Sequence, residues 1–204
     1  EEEIMALARL LPSERLCEPA TQAISAIGGD KAAAALRSAL PDAAGARRTT
    51  LVNALGRLRD KAAAPEIRKD VNADDADLRV VARFALGNIG DAASADAVLE
   101  ATDACIRLAR ELAEEGDTDE AEKICRKVIE MRKAEDEVHE RCAALACLAE
   151  AIGLKALDDI SDALGSKDLW LRNATARNAV DCALWDLEAK RAADEAVMKA
   201  NEAI

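Results

Sequence analysis

The single histidine of this chain and one of its six cysteines lie three residues apart. His139 and Cys142 fall on a predicted helix, where residues at this spacing share a face. A structural zinc site needs four ligands and usually contains a Cys-x-x-Cys pair, which this sequence lacks. A nucleophilic cysteine needs a neighbour that lowers its pKa, and no Asn or Asp is placed to orient His139. We therefore predict that the cysteines pack in the core, with no catalytic residue and no metal site.

Two acidic clusters could be taken for calcium sites. They comprise Asp74, Asp75 and Asp77, and Asp117, Asp119 and Glu120. Neither has the alternating aspartates, glycine and distal glutamate of an EF-hand loop. Both precede a predicted helix, where carboxylates accept hydrogen bonds from the first backbone N–H groups. We predict helix caps here, turns at the glycine pairs Gly28-Gly29 and Gly87 with Gly90, and no cofactor.

The composition predicts helix nearly throughout. The chain has 204 residues, enough for one large domain or two small ones. It contains 48 alanines, one Phe, two Trp and no Tyr. Alanine is the best helix former, whereas sheets are built from β-branched and aromatic residues. The expected class is therefore all-α.

The charge and hydropathy pattern argues against several kinds of partner. A net charge of -12 disfavours nucleic acid and anionic membrane surfaces, because both require a basic surface. No apolar run approaches the roughly 18 residues of a spanning helix. The chain opens with three glutamates rather than a basic secretory signal. Cysteines among apolar neighbours are typical of a reducing compartment, so we expect a cytoplasmic protein.

Internal repeats organise the first half of the chain. Three similar stretches begin at Ala23, Ala54 and Ala85, which are 31 residues apart. The apolar positions keep this register in three columns: Ile24, Leu55 and Leu86; Ile27, Leu58 and Ile89; Leu36, Ile67 and Val98. Each repeat reads as two helices joined by a short turn.

Start and stop signals place these helices. In the third repeat, Asp77 is predicted to cap the first helix, Gly90 to end it, and Asp91 to cap the second helix through Val98. In the second repeat, Pro65 falls in the first turn of a helix, where its missing N–H is tolerated.

These motifs carry a family resemblance. Residues 75–91 match most of the pattern D-x-x-[VL]-R-x-x-A-x-x-A-L-G-x-[IL]-G-D, with Leu78-Arg79 as its typical pair. The chain thus resembles the HEAT-like repeat family, in particular the short type named after phycocyanobilin lyases. The resemblance is close over residues 46–100, fair over 19–45, and returns more weakly from Leu148 and Leu171. It implies a right-handed α–α superhelix, in which helix pairs stack on their neighbours.

The pattern changes between the two HEAT-like blocks. Residues 102–133 resemble a tetratricopeptide hairpin, with Leu108, Leu112, Gly116 and Ala121 at that motif's spacings. Leu112 and Cys125 replace its bulky aromatic residues. We expect HEAT-like repeats over 1–101, this hairpin over 102–133, and further HEAT-like repeats with a C-terminal capping helix over 134–204. Together these blocks are expected to form one continuous solenoid.

The two tryptophans are the strongest candidates for an interaction site. Leu169, Trp170 and Leu171 are consecutive, so one helix cannot turn all three towards the same core. Outward apolar surface commonly marks a contact, and Trp is enriched in interface hot spots. We predict an interface that includes Leu169, Trp170 and Trp185. The alternative is that Trp170 caps the terminal repeat and Trp185 fills a gap in the alanine-rich packing.

Three functions remain open, and the first is preferred. The chain is expected to be a non-enzymatic scaffold that assembles with copies of itself, either as a natural domain or as a computationally redesigned subunit. The second hypothesis is a natural HEAT-repeat adaptor that binds a foreign protein or peptide on its concave face. The remote third is a protein similar to bilin lyases or a ligand carrier, although a fold-level likeness cannot establish activity.

Overall fold

The computed structural model describes residues 2–168 and 170–175. Every regular element in those residues is helical, which confirms the all-α class. The chain forms two compact units, Glu1–Gly116 and Asp117–Ile204, called unit 1 and unit 2 below. The three-block division of the sequence and its continuity as one solenoid stay predictions.

Unit 1 is built from helix pairs. Its described α-helices are α1 (Glu2–Ala8), α2 (Cys17–Ile27), α3 (Gly29–Ala39), α4 (Gly45–Arg57), α5 (Ala64–Ile67), α6 (Ala76–Ile89), α7 (Ala95–Val98) and α8 (Thr102–Glu114). Helices α2, α4 and α6 are the first helices of the three repeats. The second helix is continuous in α3 and short in α5 and α7. Short 3-10 segments extend these two at Lys61–Ala63, Arg68–Asp70 and Ala92–Ser94.

The repeated apolar columns form the core of unit 1. Two columns are completely buried in all three repeats, the column of Ile24 and the column of Leu36. The column of Ile27 is less regular. Ile89 is buried, Leu58 is half-buried, and Ile27, the last residue of α2, is 47 % exposed. The 31-residue period therefore predicts two of the three columns in full.

A residue with positive φ follows the first helix in each of the three repeats. Gly28, Arg59 and Gly90 are 31 residues apart and have φ values of 71°, 54° and 70°. Glycine adopts this left-handed region without strain, whereas Arg59 does so at a cost. The predicted stop at Gly90 is confirmed, and in the second repeat the equivalent residue has a positive φ without being a glycine.

The cap of α6 corrects one prediction. The N-cap is Asp75 rather than Asp77, and the helix begins at Ala76. The Asp75 carboxylate accepts hydrogen bonds from the N–H groups of Asp77 and Leu78 at 2.9 and 3.2 Å. The true cap lies two residues upstream because Asp77 is already inside the first turn.

Ion pairs join successive repeats at the same period. Arg37 donates to Asp60 at 2.5 Å, and Arg68 donates to Asp91 at 2.5 Å. The two arginines are 31 residues apart, as are the two aspartates. Each arginine directly follows the buried residue of the second helix in its repeat. Its guanidinium therefore reaches the turn before the second helix of the following repeat. The periodic sequence thus repeats a polar contact as well as an apolar one.

A second set of arginines holds the loops that precede helices. In each case the guanidinium donates a hydrogen bond to a backbone carbonyl of the segment before the helix. The contacts are Arg48 to Leu40 at 2.9 Å, Arg79 to Ala73 at 2.6 Å, Arg141 to Arg132 at 2.7 Å and Arg172 to Ser166 at 3.1 Å. The arginine of the sequence motif is therefore a loop anchor in both units.

Unit 2 has its own core. Its described helices are α9 (Thr118–Met131), α10 (Val138–Ile152) and α11 (Leu157–Leu164), with 3-10 segments at Glu135–Glu137 and Gly153–Ala156 and a helical stretch at 170–175. One cluster of buried side chains comprises Val138, Leu145, Ala163 and Leu171, with Ile129 and Cys142 packed against it. The predicted hairpin has one helix in each unit, α8 and α9. The C-terminal capping helix predicted from Cys182 lies outside the described residues.

Candidate interaction surfaces

The residues singled out for possible chemistry are placed unfavourably for it. His139 is exposed and Cys142 is half-buried on α10. Burial raises the pKa of the Cys142 thiol, which is the opposite of what a nucleophile requires. Cys17, Cys105, Cys125 and Cys147 are buried in the helical packing. Across residues 2–168 and 170–175, no group of three or more His, Cys, Asp or Glu could hold a metal ion.

The acidic clusters cap helices. Asp117 is the N-cap of α9, and its carboxylate accepts a hydrogen bond from the Glu120 N–H at 3.3 Å. Asp75 performs the same function for α6, as described above. The predicted capping role is confirmed for one aspartate of each cluster.

Trp170 is the most exposed large apolar side chain in the described residues. Its exposed fraction is 70 %. The Asp168 carboxylate accepts hydrogen bonds from the N–H groups of Trp170 and Leu171 at 2.8 and 3.2 Å, and so fixes the start of this helical turn. Leu171 then lies in the core at 8 % exposure while the indole points outward. The indole meets the His139 ring edge-on, with ring centroids 6.0 Å apart.

The other two predicted interface residues cannot be placed against Trp170. Leu169 and Trp185 lie outside the described residues, so their part in an interface stays a prediction. The outward direction of Trp170 agrees with the sequence argument. Its role in an interface stays a prediction.

A second exposed apolar site lies on unit 1. Val80 and Phe84 are one helical turn apart on α6, with exposed fractions of 67 % and 41 %. The Arg107 guanidinium of α8 stacks on the Phe84 ring, with its central carbon 4.2 Å from the ring centroid. A cation at this distance is attracted to the face of the ring.

The repeat register shows that the aromatic ring of Phe84 is not a shared feature of the repeats. The positions equivalent to Phe84 in the two preceding repeats are Gln22 and Asn53, and all three are exposed. The same exposed position is thus polar twice and aromatic once. This site was not predicted from the sequence, although Phe84 lies outside the apolar face of α6 and that offset marks it.

An open polar groove runs between α2 and α4 of unit 1. It consists of two depressions of about 510 and 130 Å³. Glu18 and Thr50 line both, so the depressions adjoin. The larger is lined by Glu14, Cys17, Glu18, Ala44, Gly45, Ala46, Arg47 and Thr50, and the smaller by Glu18, Thr21, Gln22, Ser25, Thr50, Asn53, Ala54 and Arg57.

None of the helices in the described part of the chain combines the length and apolarity needed to cross a membrane.

Comparisons with known proteins establish the fold class. The family model of the mandelate racemase / muconate lactonizing enzyme N-terminal domain matches residues 126–198, which are 73 of 204 residues. This partial match does not show membership of that family. No curated protein matches the chain.

Two solved structures are similar to this chain. The complex of CpcE and CpcF of phycocyanin lyase from Nostoc sp. PCC7120 has a TM-score of 0.53 and 19 % identity, covering 86 % of this chain and 75 % of that chain. Human deoxyhypusine hydroxylase in complex with glycerol has a TM-score of 0.47 and 19 % identity, covering 85 % and 71 %. The protein therefore has a HEAT-like helical-repeat fold, for which the first structure is the evidence. At this identity the likeness carries the fold and not the activity.

Proposed function

We propose that this protein is a non-enzymatic HEAT-like scaffold that acts by protein–protein contact and associates with copies of itself through the Trp170 surface. The observation that carries the proposal is the 70 % exposure of Trp170 in a chain with only three Phe and Trp residues in total. Large aromatic rings are rare in this chain, and the indole of Trp170 is nevertheless largely exposed to solvent. Exposed tryptophan is the side chain most enriched in interface hot spots.

The energetics favour association through a small number of anchors. Covering a tryptophan hot spot contributes on the order of 2 kcal/mol or more to binding. Opposing this, two copies each carry a net charge of -12 and repel one another at low ionic strength. Salt screens that repulsion, because the Debye length shortens to about 8 Å at physiological ionic strength. Self-association should therefore strengthen as salt is added.

Light scattering on a sizing column tests the proposal. The wild type is expected at a multiple of the 21.7 kDa chain mass, with a larger multimer fraction at high salt. Trp170→Ala should return the protein to the monomer mass. The matched control is Leu154→Ala, which truncates a side chain that is 45 % exposed in the same unit and should leave the mass unchanged. A monomeric wild type at micromolar concentration and high salt would contradict self-association.

The Val80–Phe84 surface favours a second candidate function, an adaptor for a foreign protein. Phe84 occupies a position that is polar in the two preceding repeats, so the repeat fold alone does not account for its aromatic ring. A partner that binds the wild type and Trp170→Ala equally, but not Phe84→Ala, would support this function. A partner that is lost with Trp170→Ala instead would argue against it.

A further inference from the structure

We propose that the groove between α2 and α4 binds a short extended peptide segment of a partner protein. The segment would place a basic side chain at the Glu14–Glu18 end and a carboxylate at the Arg57 end. The site lies in unit 1 and does not depend on self-association through Trp170.

The dimensions of the groove suit a peptide. Helix α4 forms one wall along its length from Gly45 to Arg57, which is about 18 Å at 1.5 Å per residue. An extended chain advances about 3.3 Å per residue, so five or six residues span the wall. The two adjoining depressions provide about 510 and 130 Å³ of open space along it.

The groove separates α2 from α4 at a position where the next two pairs of neighbouring helices, α4 with α6 and α6 with α8, are in close contact. Gly56 of α4 lies so close to α6 that an added Cβ would be 2.6 Å from the Ala85 Cβ. Gly87 is equally close to α8, with an added Cβ 2.8 Å from the Ala104 carbonyl oxygen. The residue 31 positions before Gly56 is Ser25, and it lines the smaller depression. We infer that the serine side chain keeps α2 and α4 apart at the position where glycine lets the other helices touch.

The polar groups of the groove match a peptide backbone. The exposed Asn53 amide makes no hydrogen bond with the residues that the structure describes. An amide side chain offers both a donor and an acceptor, the same pair that a peptide group presents. Gln22 donates to Glu18 at 3.3 Å, which leaves its carbonyl oxygen free to accept.

The charged residues of the groove indicate which way a peptide would lie in it and which class of ligand it would bind. Glu14, Glu18 and Arg47 line the larger depression, and Glu18 and Arg57 line the smaller one, so carboxylates outnumber guanidinium groups only at the larger end. Within the described residues, Glu14, Arg47 and Arg57 form no ion pair, so their charges are available to a ligand. Two carboxylates in a chain of net charge -12 repel a phosphate backbone. A polar peptide that carries both a basic and an acidic group therefore suits this groove better than a nucleic acid does.

The test begins with a phage-displayed library of random heptapeptides selected on the wild-type chain. A recurrent peptide is then labelled, and its affinity is measured by fluorescence anisotropy for four variants. Ser25→Gly, which should let the helices close, and Asn53→Ala, which removes the amide, are each expected to weaken binding about tenfold, equivalent to 1.4 kcal/mol. Ser38→Gly makes the same chemical change at an exposed position of α3, and this variant should bind the peptide as the wild type does. Trp170→Ala should also bind normally, which separates this site from the proposed self-association.

A charge reversal tests the polarity of the site. Arg57→Glu should lose the selected peptide and recover binding when the peptide's carboxylate is replaced by lysine. The absence of any recurrent peptide would overturn the proposal. Equal affinity of the wild type, Ser25→Gly and Asn53→Ala for the selected peptide would also overturn it.

Discussion

The boundary between α2 and α4 and the boundary between α4 and α6 come from the same 31-residue period but pack differently. At the second boundary the α4 backbone at Gly56 lies against Ala85, with no space for a side chain. At the first, Ser25 takes the place of Gly56 and a polar groove of about 130 Å³ lies beside it. The apolar columns are buried on both sides of this difference, since Ile24 and Leu55 are both fully buried. The two boundaries thus differ at one small residue, a serine beside the groove and a glycine at the close contact, while the core stays the same.

The largest expected effect comes from giving the closed boundary the residue of the open one. In Gly56→Ser the new Cβ would lie 2.6 Å from the Ala85 Cβ and 2.7 Å from its Cα, so the two helices must separate. Overpacking of this kind costs about 2 kcal/mol of unfolding free energy. Urea unfolding followed by circular dichroism measures the loss.

The matched control for this substitution is Gly165→Ser in unit 2. There the nearest atom to an added Cβ is the Asp162 carbonyl oxygen at 3.4 Å, and φ is in the ordinary range. Its unfolding free energy should stay close to that of the wild type. If Gly56→Ser were as stable as Gly165→Ser, the close contact would not distinguish the two boundaries.

A smaller effect, in the opposite direction, is expected at the turns that end these helices. Arg59 has a φ of 54°, whereas the equivalent residues of the other repeats are Gly28 and Gly90. Arg59→Gly removes the strain of a left-handed non-glycine residue and should stabilise the protein by about 0.5–1 kcal/mol. It also removes the ion pair with Glu111, but a pair whose arginine is 59 % exposed contributes little.

The control for the turn is Arg57→Gly, two residues earlier at the last helical residue of α4. Glycine in a helix costs up to about 1 kcal/mol, so this variant should be destabilised. Thermal or urea unfolding of the two variants should therefore move in opposite directions. A loss of stability in both would show that Arg59 contributes more through Glu111 than it costs in strain.

The smallest effect concerns Glu111 itself, which meets Arg59 at the end of α8. Burial raises the pKa of the Glu111 carboxyl, and this outweighs the lowering by Arg59. A carboxyl whose pKa is raised by folding contributes stability below its ordinary pKa, and that contribution is lost as pH rises through the raised value. Glu111→Gln lacks this dependence. Its unfolding free energy relative to the wild type should thus increase between about pH 4 and about pH 7. A difference that is constant with pH would contradict the burial argument.

Much of the fold was predictable because its signals are local. The alanine content, the 31-residue period and the capping aspartates all act within one or two helices. They predicted the all-α class, the buried columns of Ile24 and Leu36, and the stop at Gly90. The cap of α6 was misplaced by two residues because several aspartates precede that helix. Only the direction of each side chain shows which of them accepts the hydrogen bonds.

The candidate surfaces were predictable only in part. The impossibility of burying three consecutive large apolar residues on one helix predicted outward surface near Trp170, and Trp170 is exposed. Phe84 was overlooked because an aromatic residue in a helix is most often a core residue. The groove was not predictable, because the distance between α2 and α4 depends on contacts between residues far apart in the sequence, for which a serine in a helix gives no local sign.

The sequence by itself determined the helical class, the repeat period and the approximate positions of the repeated helices, since helix propensity, capping and apolar periodicity depend on neighbours within a few residues. The tertiary structure alone decided which repeats pack closely and which leave a groove. Contact between helices depends on residues about 30 positions apart, Gly56 with Ala85 among them, and on whether a single Cβ fits between two backbones. A sequence pattern within one helix does not indicate how far that helix lies from the next.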